Sequence, residues 1–321
     1  MTLSRRYFVA SAALAAVVAG TRPARGQTRV RIGAAVLGDY ALAGPFFVAM
    51  DRGFFSQEGL SGELVPFGGG PELAKAVVAG DVLLAAAGGT DVLVFREAGM
   101  PVKMIATHTE SNHFTLNVAP EIGAVADLKG QAIGVTAVRA TTWVFARLLA
   151  KQQGWELDRD VKVVSLGGLD AQVAALARKE IQAFVWGDGG ALSQARGQSR
   201  VLVRLDSVTP QWISQIQYAS EDGLRRNADT IRKAMRAVFR ALQWMRAHPK
   251  EAVEATAGKL GWPPEAVVGA QRISGPLMSE DGTMSVEALR AMQDTLLEQG
   301  VIKKRLPLDE HYTKRFSPVR T

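Results

Sequence analysis

The sequence predicts an α/β protein of two lobes, the first of them built from both ends of the chain. Three observations carry this. Short apolar strands alternate with helical segments from Val30 to Thr107, the pattern of a mainly parallel sheet flanked by helices. After the apolar segment Phe114–Ala119 the alternation restarts and continues to Leu205. Beyond Trp212 one last strand-like piece, Ile213–Ala219, gives way to helices alone, whose apolar faces need a partner. The first α/β unit is the natural one. The expected organisation is therefore residues 27–116 and 217–321 in lobe 1 and residues 117–216 in lobe 2, with two crossing segments as the hinge.

Residues 1–26 stand apart from the fold. Ser4-Arg5-Arg6-Tyr7-Phe8-Val9 is a twin-arginine pattern, an apolar run covers Ala10–Gly20, and Ala24-Arg25-Gly26 offers small residues for cleavage before Gln27. An export signal of the Tat type is expected, with an ordinary Sec signal as the alternative. Either places the mature chain in the periplasm. The four arginines of this segment (Arg5, Arg6, Arg22, Arg25) have no acid beside them, so their removal lowers the formal charge from +7 to +3. A mildly basic chain tolerates anionic ligands and gives no argument for nucleic acid. Cysteine is absent, which removes disulfides, thiolate metal sites and cysteine nucleophiles together. No later segment approaches the ~20 uninterrupted apolar residues of a membrane span.

In the mature chain, Val30–Val36 alternates as a strand, Leu37–Gly44 is a small-residue loop, and a helix is expected to open at Pro45, where a missing N–H costs nothing, and to end at Gly53. Strand Gly62–Phe67, helix Pro71–Ala79, strand Val82–Ala87, helix Val92–Ala98 and strand Val102–Thr107 complete the first unit. The second has a helix start near Val125–Leu128, strand Ala132–Val135, helix Thr141–Gln153, strand Val161–Ser165, helix Leu169–Arg178 and strands Ala183–Trp186 and Val201–Leu205. Of the terminal helices, Asp229–Arg246 carries Ile231, Met235, Val238, Leu242 and Met245 on one face, and Lys250–Lys259, Pro263–Arg272 and Ser285–Gln299 follow.

A site between two such lobes is lined by strand-end loops and helix N-termini, whose unpaired N–H groups favour anions or polar oxygens. The loop Gly38–Ala41 offers Asp39 and the ring of Tyr40; the turn Gly88–Asp91 offers Gly89 and the Thr90 hydroxyl. Thr136–Thr142 offers Thr136, Thr141 and Thr142, with Arg139 as a clamp for an acidic ligand. Trp186-Gly187-Asp188 offers an indole for stacking and a carboxylate for an amine or ring nitrogen, and Asn112, in the polar run Thr107–His113, borders the ligand or belongs to the hinge. Each has a structural reading beside it: packing for Tyr40, helix capping for Thr90 and Asp188, solvation for Arg139. His108, Glu110 and His113 have no recognisable zinc spacing, so neither metal nor cofactor is expected.

Several ordered motifs resemble one family, the periplasmic substrate-binding proteins of ABC importers for nitrate, sulfonates, taurine and thiamine precursors. Pro45–Leu60 (PFFVAMDRGFFSQEGL) is similar to the family's P-x-x-V-A-x-x-K-G-F-F-x-x-E-G-L helix, Gly68–Val82 to its G-G…A-L-x-x-G-x-V-D segment, and Asp127–Val135 to its D-L-K-G-K-x-I-G-V. Val82-Leu83-Leu84 departs from the pattern, where an Asp usually follows the Val. The resemblance implies a type II periplasmic-binding-protein fold that closes on a small ligand, acting as a monomer with permease and ATPase subunits made by other chains. Enzymes on the same fold, pyrimidine synthases and desulfinases, use cysteine-rich motifs or a cysteine nucleophile, which this chain lacks; a receptor for a periplasmic sensor is the other alternative. Sulfonate, aromatic carboxylate, nitrate-like anion and pyrimidine all remain as solutes.

Overall fold

A computed structural model describes residues 26–321, so the expected export signal lies outside the described residues apart from Gly26. The first sheet holds β1 (Thr28–Ala34), β2 (Leu60–Pro66), β3 (Leu84–Gly88), β4 (Val102–Thr107) and β10 (Gln215–Ser220), in the order β2-β1-β3-β10-β4. The second holds β5 (Thr115–Val118), β6 (Ala132–Val135), β7 (Lys162–Ser165), β8 (Ala183–Trp186) and β9 (Arg200–Arg204), in the order β7-β6-β8-β5-β9. β1 pairs in parallel with both β2 and β3, and β6 with both β7 and β8. The strand that enters from the other lobe runs against its neighbours: β10 is antiparallel to β3 and β4, and β5 to β8 and β9. Each sheet is thus mainly parallel with one reversed strand, in agreement with the expected type II fold.

Thr115 and Leu116 pair within the second sheet, and Gln215 and Ile216 within the first. The sheets therefore change hands two residues earlier at each crossing than the expected boundaries. Alternation predicts the strands but is blind to which sheet a fully buried strand joins.

The expected helices are all present except at Val125–Leu128, which is a single 3-10 turn. The main correction concerns α1 (Tyr40–Asp51), which begins five residues before Pro45, with Asp39 as N-cap and Pro45 inside it. Gly53, at φ 69°, ends it as expected. The other helices of the first lobe are α2 (Phe54–Gln57), α3 (Gly70–Ala79) and α4 (Gly89–Glu97); those of the second are α5 (Thr141–Gln152), α6 (Leu169–Ala177) and α7 (Gly190–Ala195). The C-terminal part adds α8 (Glu221–Arg226), α9 (Ala228–Ala247), α10 (Pro249–Leu260), α11 (Pro264–Ser274), α12 (Val286–Glu298) and α13 (Leu308–His311).

The α9 stripe of Ile231, Met235, Val238, Leu242 and Met245 is buried and packs on α1, which α10 and α11 also cover. The C-terminal helices thus complete the first lobe. α11 also touches α7 of the second lobe, so closely that a Cβ on Gly269 would stand 3.0 Å from the Ala191 Cβ. No helix among the described residues is long and apolar enough to cross a membrane.

Candidate ligand-binding cleft

The parallel strands of both sheets end at the same seam. α1 and α4 start from the carboxyl ends of β1 and β3, α5 from that of β6, and Gly187–Gly189 follows β8. Between them lies a cleft of about 430 Å³, counted with its open mouth. Asp39, Asp91, Gln215, Thr136, Thr141, Thr142, Trp186 and Phe114 line it, with Gly69, Gly70 and Gly88 where the backbone comes close. Among the described residues, no lysine, arginine or histidine lines it.

The amino end of α1 is already occupied. Tyr40 N and Ala41 N donate to the two carboxylate oxygens of Asp188 at 2.6 and 2.8 Å, and Leu42 N donates to Asp39 Oδ1 at 2.9 Å. Asp188 belongs to the second lobe and α1 to the first, so a carboxylate of the chain itself sits where the helix end would favour an anion. The N–H groups expected to be free for a ligand at this point are spent. Burial and the nearby Asp39 raise the Asp188 pKa, while His113 and the α1 N–H groups pull it down.

Behind this carboxylate pair lies the hinge. His113 Nε2 lies 3.1 Å from Asp39 Oδ2, which also accepts from Gln215 Nε2 at 3.1 Å. Ser214 Oγ donates to Ser111 O and stands 2.7 Å from both His113 Nδ1 and Thr109 Oγ1. Since its own proton goes to Ser111, Ser214 accepts from His113, which therefore carries a proton on Nδ1. Burial lowers the His113 pKa, but Asp39 and Asp188 outweigh it and the net direction is upward. Ligating atoms of Asp39, His113 and Asp188 lie within 4.8 Å of one another, yet each group is already engaged in hydrogen bonds within the chain. Asn112 Nδ2 donates to Leu205 O and Thr209 Oγ1 at 3.2 and 2.6 Å, bracing one crossing segment against the other.

Of the residues singled out from the sequence, Asp39, Thr136, Thr141, Thr142 and Trp186 line the cleft. The rest serve elsewhere. Tyr40 is buried within α1; its hydroxyl accepts from Gln271 Nε2 at 3.1 Å, and burial pushes its pKa up to about 12. Its ring borders a separate hollow with Met245 and Pro249, because the helix starts at this residue and turns the side chain into the lobe. Gly89 packs its backbone against Ile213 O, where a Cβ would stand 2.0 Å away, and Thr90 is fully buried. Asn112 is the hinge brace, and Asp188 caps α1.

Arg139 departs most from expectation. It stands at φ 67°, a left-handed conformation costly for a side chain, and its guanidinium donates across the cleft edge to Val301 O at 2.7 Å, with Glu97 at 3.9 Å. Arg147 donates likewise to Gln299 O at 2.9 Å. Both tie the second lobe to the C-terminal part of the first. In this structure Arg139 bridges the two lobes and is not among the residues that line the cleft. Arg139→Ala is expected to weaken solute binding by roughly tenfold, the lower end of what one charge-assisted hydrogen bond is worth, and by the same factor for charged and uncharged solutes. Titration calorimetry with both kinds checks this; a loss confined to acidic solutes would restore the clamp.

Asp91 and Gln215 also line the cleft, and the sequence does not mark either as a ligand contact. An acid in the first turn of a helix reads as a dipole partner, and Gln215 lies in a strand with no local signal. The only cue to Asp91 is its place at the end of the Gly-Gly turn after β3.

Residues 43–252, well over half of the chain, match the family described as NMT1/THI5 like. The chain belongs to this family. It is accordingly a periplasmic substrate-binding protein of the ABC-importer type and non-catalytic; membership of the family implies cooperation with permease and ATPase subunits. The NMT1/THI5-like chain is 29% identical over 245 residues to the riboflavin-binding protein RibY of Chloroflexus aurantiacus, a match over 74% of this chain and 67% of that one. A solved protein of Bordetella bronchiseptica superposes with a TM-score of 0.79 at 21% identity, over 91% of this chain and 96% of the other. The alkanesulfonate-binding protein SsuA of Xanthomonas axonopodis pv. citri, bound to MOPS, gives 0.73 at 20% identity, over 88% and 97%. At these identities the solved structures speak for the two-lobed fold.

Proposed function

We propose that the protein captures an uncharged or cationic heteroaromatic solute of the pyrimidine kind between its lobes and presents it to an ABC permease. Sulfonates, nitrate-like anions and aromatic carboxylates suit the cleft less well. One observation carries this reading: the amino end of α1 is filled by the Asp188 carboxylate, with Asp39 beside it, and no cation lines the cleft among the described residues. An anion there would meet two carboxylates at short range, which costs several kcal/mol by the order of magnitude for like charges in a partly desolvated site. The similarity to a chain named for riboflavin, also a heteroaromatic solute, supports the same choice.

The mechanism is hinged closure. A solute touching both lobes favours the closed state by its differential affinity for it, and the closed shape is what the permease recognises. Thr107–Phe114 and Leu205–Ser214, stitched by Asn112, His113 and Ser214, are the segments that flex. Export through the Ser4–Val9 twin-arginine segment, with cleavage after Gly26, would bring the chain to the periplasm.

A thermal-shift screen of the mature chain tests the reading, because a ligand at 100 times its Kd stabilises by about 2.7 kcal/mol. Substituted pyrimidines are expected to raise the melting temperature, while MOPS, nitrate and benzoate leave it unchanged. Stabilisation by the anions alone would overturn the choice of solute.

A further inference from the structure

Three acceptors in the cleft have nothing to accept from. Asp91 lines the cleft at 4% exposure, and its carboxylate makes no hydrogen bond or ion pair among the described residues. Burial alone, with no charged partner, pushes its pKa up to about 7. Gln215 Oε1 is buried without a partner, and its orientation is fixed because its Nε2 donates to Asp39 Oδ2. Thr141 Oγ1, from the opposite lobe, is also buried without a partner. A buried polar atom left unmet costs about 1–3 kcal/mol, so a cluster of them around one cavity marks where a ligand supplies what the chain does not.

The chain also makes room for this carboxylate. A Cβ on Gly70 would stand 1.9 Å from Asp91 Oδ2, so only glycine at the start of α3 leaves Asp91 where it is. A Cβ on Gly88 would stand 2.2 Å from Thr141 Oγ1, which keeps that hydroxyl at the seam. Trp186 and Phe114 add aromatic surface to the same cleft. The indole N–H is spent on Gly38 O at 2.7 Å, so Trp186 offers its ring and no further donor.

We propose that Asp91 is the residue that reads the solute, and that the solute is an amino-substituted nitrogen heterocycle whose N–H groups meet the Asp91 carboxylate, Gln215 Oε1 and Thr141 Oγ1. The inference rests on the cleft being the solute site. It adds the donor pattern that the solute must carry and the side chain that selects it. A carboxylate accepts two parallel N–H bonds from an amino group and an adjacent protonated ring nitrogen, the geometry that makes such pairs both strong and selective. A ring carrying only acceptors would take the Thr141 hydroxyl proton but leave the Asp91 carboxylate and Gln215 Oε1 unmet, and is rejected.

The test uses the mature chain, titration calorimetry and two probes of the same ring: 2,4-diaminopyrimidine, and 2,4-dimethoxypyrimidine, a weakly basic ring that stays neutral and has no N–H. The diamino compound is expected to bind at least about tenfold tighter, and Asp91→Asn to remove that advantage while its melting temperature stays near that of the parent. Comparing the two probes on the unaltered chain needs no variant, so misfolding of Asp91→Asn would not blunt the test. Equal affinities for the two probes, or an advantage that survives Asp91→Asn, would overturn the proposal, as would binding of putrescine in preference to either ring. Small-angle scattering separates the two levels of inference. If MOPS or nitrate compacts the protein and the diamino probe does not, the donor pattern is wrong and the cleft stands. If a tightly bound solute leaves the dimensions unchanged and is displaced by none of the cleft substitutions, the cleft itself is wrong.

Discussion

Gly189→Ala is expected to hold the lobes apart while leaving each of them folded. Gly189 has ordinary right-handed backbone angles (φ −63°, ψ −15°), so alanine brings no backbone strain. Its Cβ, however, would stand 2.2 Å from Gly38 O. That carbonyl is backbone of the other lobe, just ahead of the Asp39 cap, and cannot yield as the tip of a side chain could. Trp186, whose Nε1–H is held by the same carbonyl, would lose its anchor as the lobes separate. Overpacking of this kind costs about 3 kcal/mol at the upper end, which amounts to about 100-fold in apparent affinity when the penalty falls only on the binding-competent state. Calorimetry with the best solute from the screen measures the affinity, and scattering with that solute at saturation reports the shape. Gly258→Ala, at a helical glycine with nothing near its Cβ, is the matched control. A Gly189→Ala protein that binds and compacts like the parent would show that this seam does not close in the bound state.

The sequence displays the two-lobed plan because strand and helix periods are local properties, set by residues a few positions apart. Strand β4 and strand β8 begin and end where the apolar pattern does. What it hides is carried by pairs far apart in the chain. Asp188 reads as a candidate ligand contact because nothing near it reveals that its oxygens face Tyr40 N and Ala41 N, 148 and 147 residues away. Arg139 reads as a clamp because a loop arginine near hydroxyls has that chemistry, while its actual acceptor, Val301 O, is a backbone carbonyl without any sequence mark. Asp91 goes unmarked for the opposite reason: an acid at the start of a helix has a sufficient local explanation, which conceals that its carboxylate has no partner among the described residues. The cleft is thus legible as a set of loops, and its selectivity is not.

The same principle explains the misplaced start of α1 and leads to the second large effect. Pro45 inside the helix removes the N–H that would bond to Ala41 O. That carbonyl is met instead by His108 Nδ1 at 3.2 Å, while His108 Nε2 lies 2.6 Å from Gln217 Nε2. The two contacts fix a neutral imidazole with its proton on Nδ1, donating to Ala41 and accepting from Gln217. The ring is fully buried between Phe46 and Phe239, and burial lowers its pKa to about 4. A histidine depressed from about 6.5 stabilises the fold above its ordinary value, and this contribution is lost as pH falls towards 4; the shift corresponds to about 3 kcal/mol. Asp91 and Asp188, with raised values, act in the opposite sense, since their contribution is greatest in acid and fades as pH rises to about 7. The total pH profile therefore mixes both signs, and the difference between the parent and His108→Asn isolates the imidazole. That difference in unfolding free energy is expected to shrink by about 3 kcal/mol between pH 7.5 and 4. His108→Phe removes the donor altogether and is expected to cost about 2 kcal/mol through the orphaned Ala41 carbonyl. Pro45→Ala gives the helix back its own N–H at that point, so it should recover much of the loss in the His108→Phe background and little in the parent. Equal effects of Pro45→Ala in both backgrounds, by urea unfolding, would mean that His108 is not the substitute for the missing helical bond.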